Sequence, residues 1–169
     1  MKIPAGIVKE LRDQSGAGIM QCRKALIESG GDIEKALEIL KEQSLFKAAK
    51  KAERPTVEGL IEAYIHTAGR VGALVELNCE TDFVARTEEF KELAHHLAMQ
   101  VAAMSPKFIS EEEFSPESEG EPQTACLLLQ ADIKEPDKNV KEIIAETIAK
   151  TGENIKISRF ARFELGEQG

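Results

Sequence analysis

The segment Val71-Gly72-Ala73-Leu74-Val75-Glu76-Leu77-Asn78-Cys79-Glu80-Thr81-Asp82-Phe83-Val84-Ala85-Arg86-Thr87-Glu88-Glu89-Phe90 changes its hydrophobic period partway along. Val71, Ala73, Val75, Leu77 and Cys79 recur at every second position, the repeat of a strand with one buried face. From Phe90 the spacing lengthens, and Phe90, Leu93, Ala94, Leu97, Ala98, Val101 and Ala102 form the stripe of a helix that must lie against the sheet. Thr87 is placed to cap that helix, with Glu88 and Glu89 in its first turn, where carboxylates favour the positive end of the helix dipole. Ser105-Pro106 ends it. A strand feeding a one-sided helix makes this part of the chain α+β.

Ahead of this segment, Ile61, Ala63 and Ile65 alternate with Glu62, Tyr64 and His66 up to Ala68-Gly69-Arg70, so the run from Val57 and the run from Val71 pair as a β-hairpin. Beyond the helix, residues 107–123 hold six glutamates, two prolines and Lys107 as the sole basic residue, the composition of a flexible acidic excursion. Thr124–Gln130 is a short apolar run for which a strand and a buried helical turn both remain open. Residues 138–151 resume a helix with Val140, Ile143, Ile144, Thr147 and Ile148 inward, ended by Gly152. Ile155–Leu165 is a last strand carrying Ile157, Phe160 and Phe163 with Arg159 and Arg162 interleaved. The order β-β-α-α-β predicts a three-stranded antiparallel sheet with helices on one face and the other face or an edge left for a further partner.

The N-terminal third has helical periods only. Ile7, Val8 and Leu11 mark one side of a helix over residues 4–13, and Ser15-Gly16-Ala17-Gly18 breaks it. Cys22, Ala25, Leu26 and Ser29 mark the inner side of a second, which Gly30-Gly31 ends. Asp32 caps a third, with Ile33, Ala36, Leu37 and Leu40 as its stripe. The expected organisation is a three-helix domain over residues 1–41, a basic helical linker over 42–56 and an α+β core over 57–169. The linker residues Lys47, Lys50, Lys51 and Arg54 read as a solvated helix face rather than a phosphate-binding patch.

Charge and cysteines narrow the function. The net charge of −8 divides unevenly: residues 1–56 hold 11 Lys/Arg and 8 Asp/Glu, leaving 11 and 22 for the rest. An acidic bulk cannot release counterions from a phosphate backbone, so a protein partner is expected and no direct nucleic-acid binding. No apolar run is long enough to span a bilayer, and Met1-Lys2-Ile3-Pro4 opens no signal or transit segment, so a cytoplasmic protein without membrane contact is expected. Cys22, Cys79 and Cys126 are widely spaced and odd in number, which argues against a disulfide framework and a zinc site. His95 and His96 are neighbours on a helix and diverge by about 100°. No metal or cofactor is expected. An enzyme using Cys79 or Cys126 with a histidine lacks the constellation that lowers a thiol pKa.

The corner Asn78–Arg86 is where partner binding is expected. An acidic residue followed by a large aromatic at a strand-to-helix corner reads as a wedge offered to another protein, since exposed aromatics anchor interfaces. The competing reading tucks Phe83 under its own helix as a staple.

Two stretches carry more than pattern. Leu11-Arg12-Asp13-Gln14-Ser15-Gly16-Ala17-Gly18-Ile19-Met20-Gln21-Cys22-Arg23-Lys24-Ala25-Leu26, followed by Gly31-Asp32-Ile33, closely resembles the N-terminal signature of the translation elongation factor Ts family. Asn78-Cys79-Glu80-Thr81-Asp82-Phe83-Val84-Ala85-Arg86 resembles that family's second signature, and a Lys-Ala-Ala-Lys-Lys linker lies between the two. The resemblance implies a ubiquitin-associated-like N-domain on an α+β core, acting as a guanine-nucleotide exchange factor for elongation factor Tu, GDP-bound and nucleotide-free. It implies that Arg12, Ile19 and Met20 contact the partner's nucleotide-binding domain. It implies too that Thr81, Asp82, Phe83 and Val84 bind the partner, the Asp-Phe pair entering near its magnesium and phosphate site. Departures from the usual pattern are Ile19 for Met, Gln21 for Asp and Ser15 for Thr. Many members carry two copies of the core where this chain has room for one, so a symmetric homodimer joined through the sheet is expected. A non-catalytic three-helix adaptor, binding through residues 1–40 alone, is the other reading.

Overall fold

The computed structural model describes residues 3–167; Met1 and Lys2 of the opening stretch, and residues 168 and 169, lie outside the described residues. The chain runs through α1 (Ala5–Ser15), α2 (Ile19–Glu28), α3 (Ile33–Lys51), β1 (Glu58–Ile65), β2 (Val71–Cys79), α4 (Asp82–Ala85), α5 (Glu88–Met104), α6 (Pro122–Ala125), α7 (Val140–Thr151) and β3 (Ile155–Glu164). The fold is α+β, a three-helix N-terminal bundle followed by an antiparallel sheet of order β1-β2-β3.

The bundle closes on Val8, Leu11, Cys22, Ala25, Leu26, Ala36 and Leu40. Gly16 takes the left-handed conformation at the end of α1 (φ 62°), and its N–H donates to the Arg12 carbonyl. Asp32 caps α3 by accepting from the Lys35 N–H, which holds its carboxyl below the usual range. α3 does not stop at residue 41. It runs on as one helix to Lys51, so the basic segment is its second half, seated along α7 with Lys41 Nζ 2.9 Å from Glu142 Oε1.

In the core, α5 buries Phe90, Leu93, Ala94, Leu97, Ala98, Val101 and Ala102 against the sheet, the whole of the predicted stripe. Each large side chain so covered contributes roughly 1.5–3 kcal/mol. Thr87 Oγ1 accepts from the Phe90 N–H at 3.3 Å, as the cap requires. α7 places Val140, Ile143, Ile144, Thr147 and Ile148 inward. Its start is set by a capping box that the sequence reading passed over: Asn139 Oδ1 accepts from the Glu142 N–H at 2.9 Å and Glu142 Oε2 accepts from the Asn139 N–H at 3.1 Å. Asn139→Ala should cost about 1 kcal/mol, measured as a lower urea midpoint at unchanged m-value.

The hairpin departs from a simple reading of its two apolar runs. Register pairs Ile61 with Glu76, Ala63 with Leu74 and Ile65 with Gly72. Ile61, Ala63 and Ile65 therefore share a face with Leu74, while Val75, Ala73 and Leu77 face α5 and α7 together with Leu60 and Tyr64. A one-residue change of register exchanges the faces of a strand, and local alternation does not choose between them. Gly59 permits the close pairing at the start of β1: a Cβ there would lie 2.1 Å from the Leu77 carbonyl oxygen. β3 carries a bulge at Ser158, which lets Ile157 and Phe160 both turn toward the helices. Phe163 then falls on the open face, and Arg162 lies inward with Nε donating to the Ala102 carbonyl at 3.0 Å.

The acidic segment is tethered at its start. The Lys107 and Phe108 N–H groups donate to the Ala125 carbonyl, the Leu127 N–H to Phe108 O and the Leu128 N–H to Ile109 O, while Phe108 meets Phe114 edge-on at 5.8 Å. The unassigned run holds the end of α6 and a 3-10 turn at Leu127–Leu129. Gln130, fully buried, donates to Thr124 O at 2.6 Å.

Candidate functional site

β2 delivers the chain to the corner with Cys79 buried, and Thr81 then leaves the strand in extended conformation as the cap of the one-turn α4. Thr81 Oγ1 accepts from the Val84 N–H at 3.5 Å. At the far end Thr87 Oγ1 donates to the Val84 carbonyl at 2.8 Å while capping α5. α4 is thus held between two threonine caps. Val84 and Ala85 pack against the core, and Phe83 between Asp82 and Val84 is 78% exposed. It is no staple. Asp82 pairs with Arg86 across the turn at 2.8 Å, an exposed ion pair of little energetic weight.

Beneath the corner is a polar cluster that the sequence reading missed. Glu153 Oε2 accepts from the Glu80 N–H at 3.1 Å and the Thr81 N–H at 3.0 Å, and Glu153 Oε1 accepts from the Thr81 hydroxyl at 2.5 Å. The Asn154 N–H donates to Glu80 Oε1 at 2.7 Å, and Arg54 Nη1 reaches the same oxygen at 3.5 Å. The Asn154 side-chain amide donates to the carbonyls of Ala52 (3.3 Å) and Arg54 (2.8 Å), just past the end of α3. Three segments far apart in sequence meet here. No local period marks Glu153 or Asn154; the one cue is a polar pair directly after the left-handed Gly152.

The bundle residues form a second group around the α1–α2 turn. Arg12 lies in the last turn of α1, exposed, and Ile19 and Met20 open α2 with most of their side chains in solvent. The structure therefore brings Thr81, Asp82, Phe83 and Val84 together at one corner and Arg12, Ile19 and Met20 together at another. α3 links the two groups, its first half in the bundle core and its end held by Asn154.

Among the described residues, the cysteines and histidines are not brought together. All three thiols are buried and free. Desolvation, helped by the Glu153 charge, pushes the Cys79 thiol up to about 11, and burial raises that of Cys126. His95 Nδ1 lies 2.9 Å from Glu62 Oε1 and His66 Nδ1 2.9 Å from the Tyr64 hydroxyl, while the buried His96 Nε2 sits 2.5 Å from Asp132 Oδ2 without the geometry of a hydrogen bond; none of these contacts involves a cysteine. Among the described residues no group of three or more His, Cys, Asp or Glu side chains is arranged to hold a metal ion, and no helix is long and apolar enough to cross a membrane. Cys79 is expected to alkylate at least ~100-fold more slowly at pH 8 than a free thiol, because the reactive thiolate becomes populated only as pH rises toward its raised pKa. Rapid stoichiometric labelling of the folded protein at neutral pH would contradict this.

The family model described as Elongation factor TS matches residues 7–123, a span that takes in both the α1–α2 turn and the Thr81–Val84 corner. The chain is 50% identical to an elongation factor Ts of Caldanaerobacter subterraneus subsp. tengcongensis, with 98% of each chain covered. It is 49% identical to one of Thermoanaerobacter sp. (strain X514), covering 98% of this chain and 96% of the relative. With an elongation factor Ts of Thermotoga neapolitana it shares 47% identity over 100% of both. Identity at this level along essentially the whole length, together with a match that spans both exposed groups, means that the chain belongs to the elongation factor Ts family.

Proposed function

We propose that the chain is a guanine-nucleotide exchange factor for elongation factor Tu, accelerating GDP release in the cytoplasm during translation elongation. The observation that carries this reading is Phe83, an exposed aromatic on a one-turn helix capped at both ends. An apolar side chain on a backbone turn held at both ends suits insertion into a partner, since little backbone freedom remains to be lost on binding.

Exchange needs no covalent step and no cofactor. A factor that binds nucleotide-free partner more tightly than nucleotide-bound partner must, by linkage, weaken nucleotide by the same factor in the ternary complex. Arg12, Ile19 and Met20 anchor the partner's nucleotide-binding domain, and Asp82 and Phe83, flanked by Thr81 and Val84, perturb the neighbourhood of its magnesium and phosphates. The anchoring is necessary because one phenyl group gains roughly 1.5–3 kcal/mol on burial, about 10- to 100-fold in affinity.

The active form in this reading is a homodimer joined through the open face of the sheet. That face supports it: Ile61, Ile65, Leu74 and Phe163 are 64%, 67%, 45% and 71% exposed and share one side by register. Contiguous exposed apolar surface of this kind marks association, and a two-fold axis lets one patch cover its own copy.

The test is release of fluorescent GDP from elongation factor Tu with and without the protein. Acceleration supports the reading. Tight binding without acceleration, retained by residues 1–40 alone, would favour an adaptor.

A further inference from the structure

We infer that Glu153 is the positioning residue of the Thr81–Val84 corner, the group that fixes where Phe83 stands. This rests on the exchange reading above, and it assigns a role to a side chain outside both signature stretches. Glu153 follows the left-handed Gly152 that ends α7, so its backbone is fixed by a helix end on one side and by β3 on the other. From there one carboxylate takes three donors from two consecutive residues, the N–H groups of Glu80 and Thr81 and the Thr81 hydroxyl.

These are the donors that β2 leaves unpaired as the chain departs the sheet, and each would otherwise turn to water. Charge-assisted bonds to one acceptor pair determine the direction of the chain at Glu80–Thr81. The orientation of the Thr81 hydroxyl follows as well: it donates to Glu153 and so accepts the Val84 N–H that starts α4. Phe83 lies inside that single turn. A rotation at residue 81 is therefore carried directly to the phenyl ring.

The adjacent Asn154 ties the same turn to the end of α3 through the Ala52 and Arg54 carbonyls, while its N–H holds Glu80. The turn at Glu153–Asn154 consequently connects the helix that belongs to the bundle with the corner that carries the wedge. The sequence separation between Glu80 and Glu153 explains why no local signal discloses it.

Truncation and conservative replacement make opposite demands. Glu153→Ala removes both acceptor oxygens and with them all three hydrogen bonds. Glu153→Gln keeps an amide oxygen able to receive both backbone N–H groups. GDP release from elongation factor Tu is measured with the full-length protein as wild type, Glu153→Ala, Glu153→Gln, Phe83→Ala and the Glu153→Ala/Phe83→Ala double variant, alongside amide hydrogen exchange of the free proteins. Glu153→Ala should slow stimulated release at least ~fivefold, and Glu153→Gln should recover most of it. In the Phe83→Ala background the further loss should shrink to under about twofold, as expected when two residues act through one element. Protection of the Glu80 and Thr81 amides should fall at least ~tenfold in Glu153→Ala while that of Val75 and Leu77 in β2 holds. If wild type accelerates release and Glu153→Ala does so equally, or if its loss persists in full without Phe83, the positioning role is wrong while the exchange reading stands. A wild-type protein that leaves release unaccelerated overturns the exchange reading, and this role with it. Uniform loss of protection throughout the sheet would make Glu153 a general stabiliser and also refute the assignment.

Discussion

Phe83→Ala is expected to slow GDP release from elongation factor Tu at least tenfold at fixed protein concentration, with thermal and urea unfolding unchanged. The stability half follows from exposure. At 78% accessible the ring buries little in the free protein, so its removal leaves no cavity and no lost packing. Val84 and Ala85, which do pack, and the caps at Thr81 and Thr87 remain in place. The functional half follows from burial in the complex, where loss of about 1.5–3 kcal/mol corresponds to roughly 10- to 100-fold. Stopped-flow release of labelled GDP at several concentrations of the factor separates the contributions. A drop in the maximal rate places Phe83 in the perturbing step, and a shift of the half-saturating concentration alone places it in anchoring. An unchanged rate at every concentration removes the wedge from the mechanism.

If the proposed homodimer joins through the open face, Leu74→Asp should leave single chains, with light scattering falling from the mass of two chains to that of one at micromolar concentration. Leu74 is on the central strand of the open face, between Ala63 of β1 and Ala161 of β3. A two-fold interface across this face would bring a carboxylate from each copy into apolar surroundings. Burying an unpaired charge costs several kcal/mol, so the dissociation constant should rise at least ~100-fold. The isolated chain tolerates the substitution because Leu74 is already 45% exposed within it. Circular dichroism should therefore stay native as the mass halves. A wild-type protein that scatters as one chain, or a variant that remains paired, would place the dimer contact elsewhere or abolish it.

Much of the fold is legible in the sequence because its elements are set by local periods. The stripe from Phe90 to Ala102 requires a helix on a sheet, Gly16 and Gly152 mark turns by their left-handed backbone, and Thr87 and Asp32 announce caps. Where the reading fell short, a local rule had two solutions. The helical linker proved continuous with the third helix, because nothing before Pro55 interrupts a run of good helix formers, and α7 offers it a surface. Arg162, spaced as an outward residue, turns inward because the bulge at Ser158 shifts the phase of β3. In the candidate site, the oddity of an aromatic beside an acidic residue at a corner is visible in the chain. The carboxylate beneath it is not.

By itself the sequence determined the order and kind of the main helices and strands, the Thr87 cap beside the corner, the acidic core joined to a more basic bundle, and two signature stretches. These depend on residues close together along the chain, where spacing and backbone preference act directly. Only the tertiary structure decided that Ile61, Ala63 and Ile65 face away from the helices, that Phe83 stands in solvent, and that Glu153 and Asn154 join α3, α7 and the corner. The physical reason is common to all three: strand register, exposure and hydrogen bonds between remote donors and acceptors are settled by packing among segments many residues apart, to which a local pattern is indifferent.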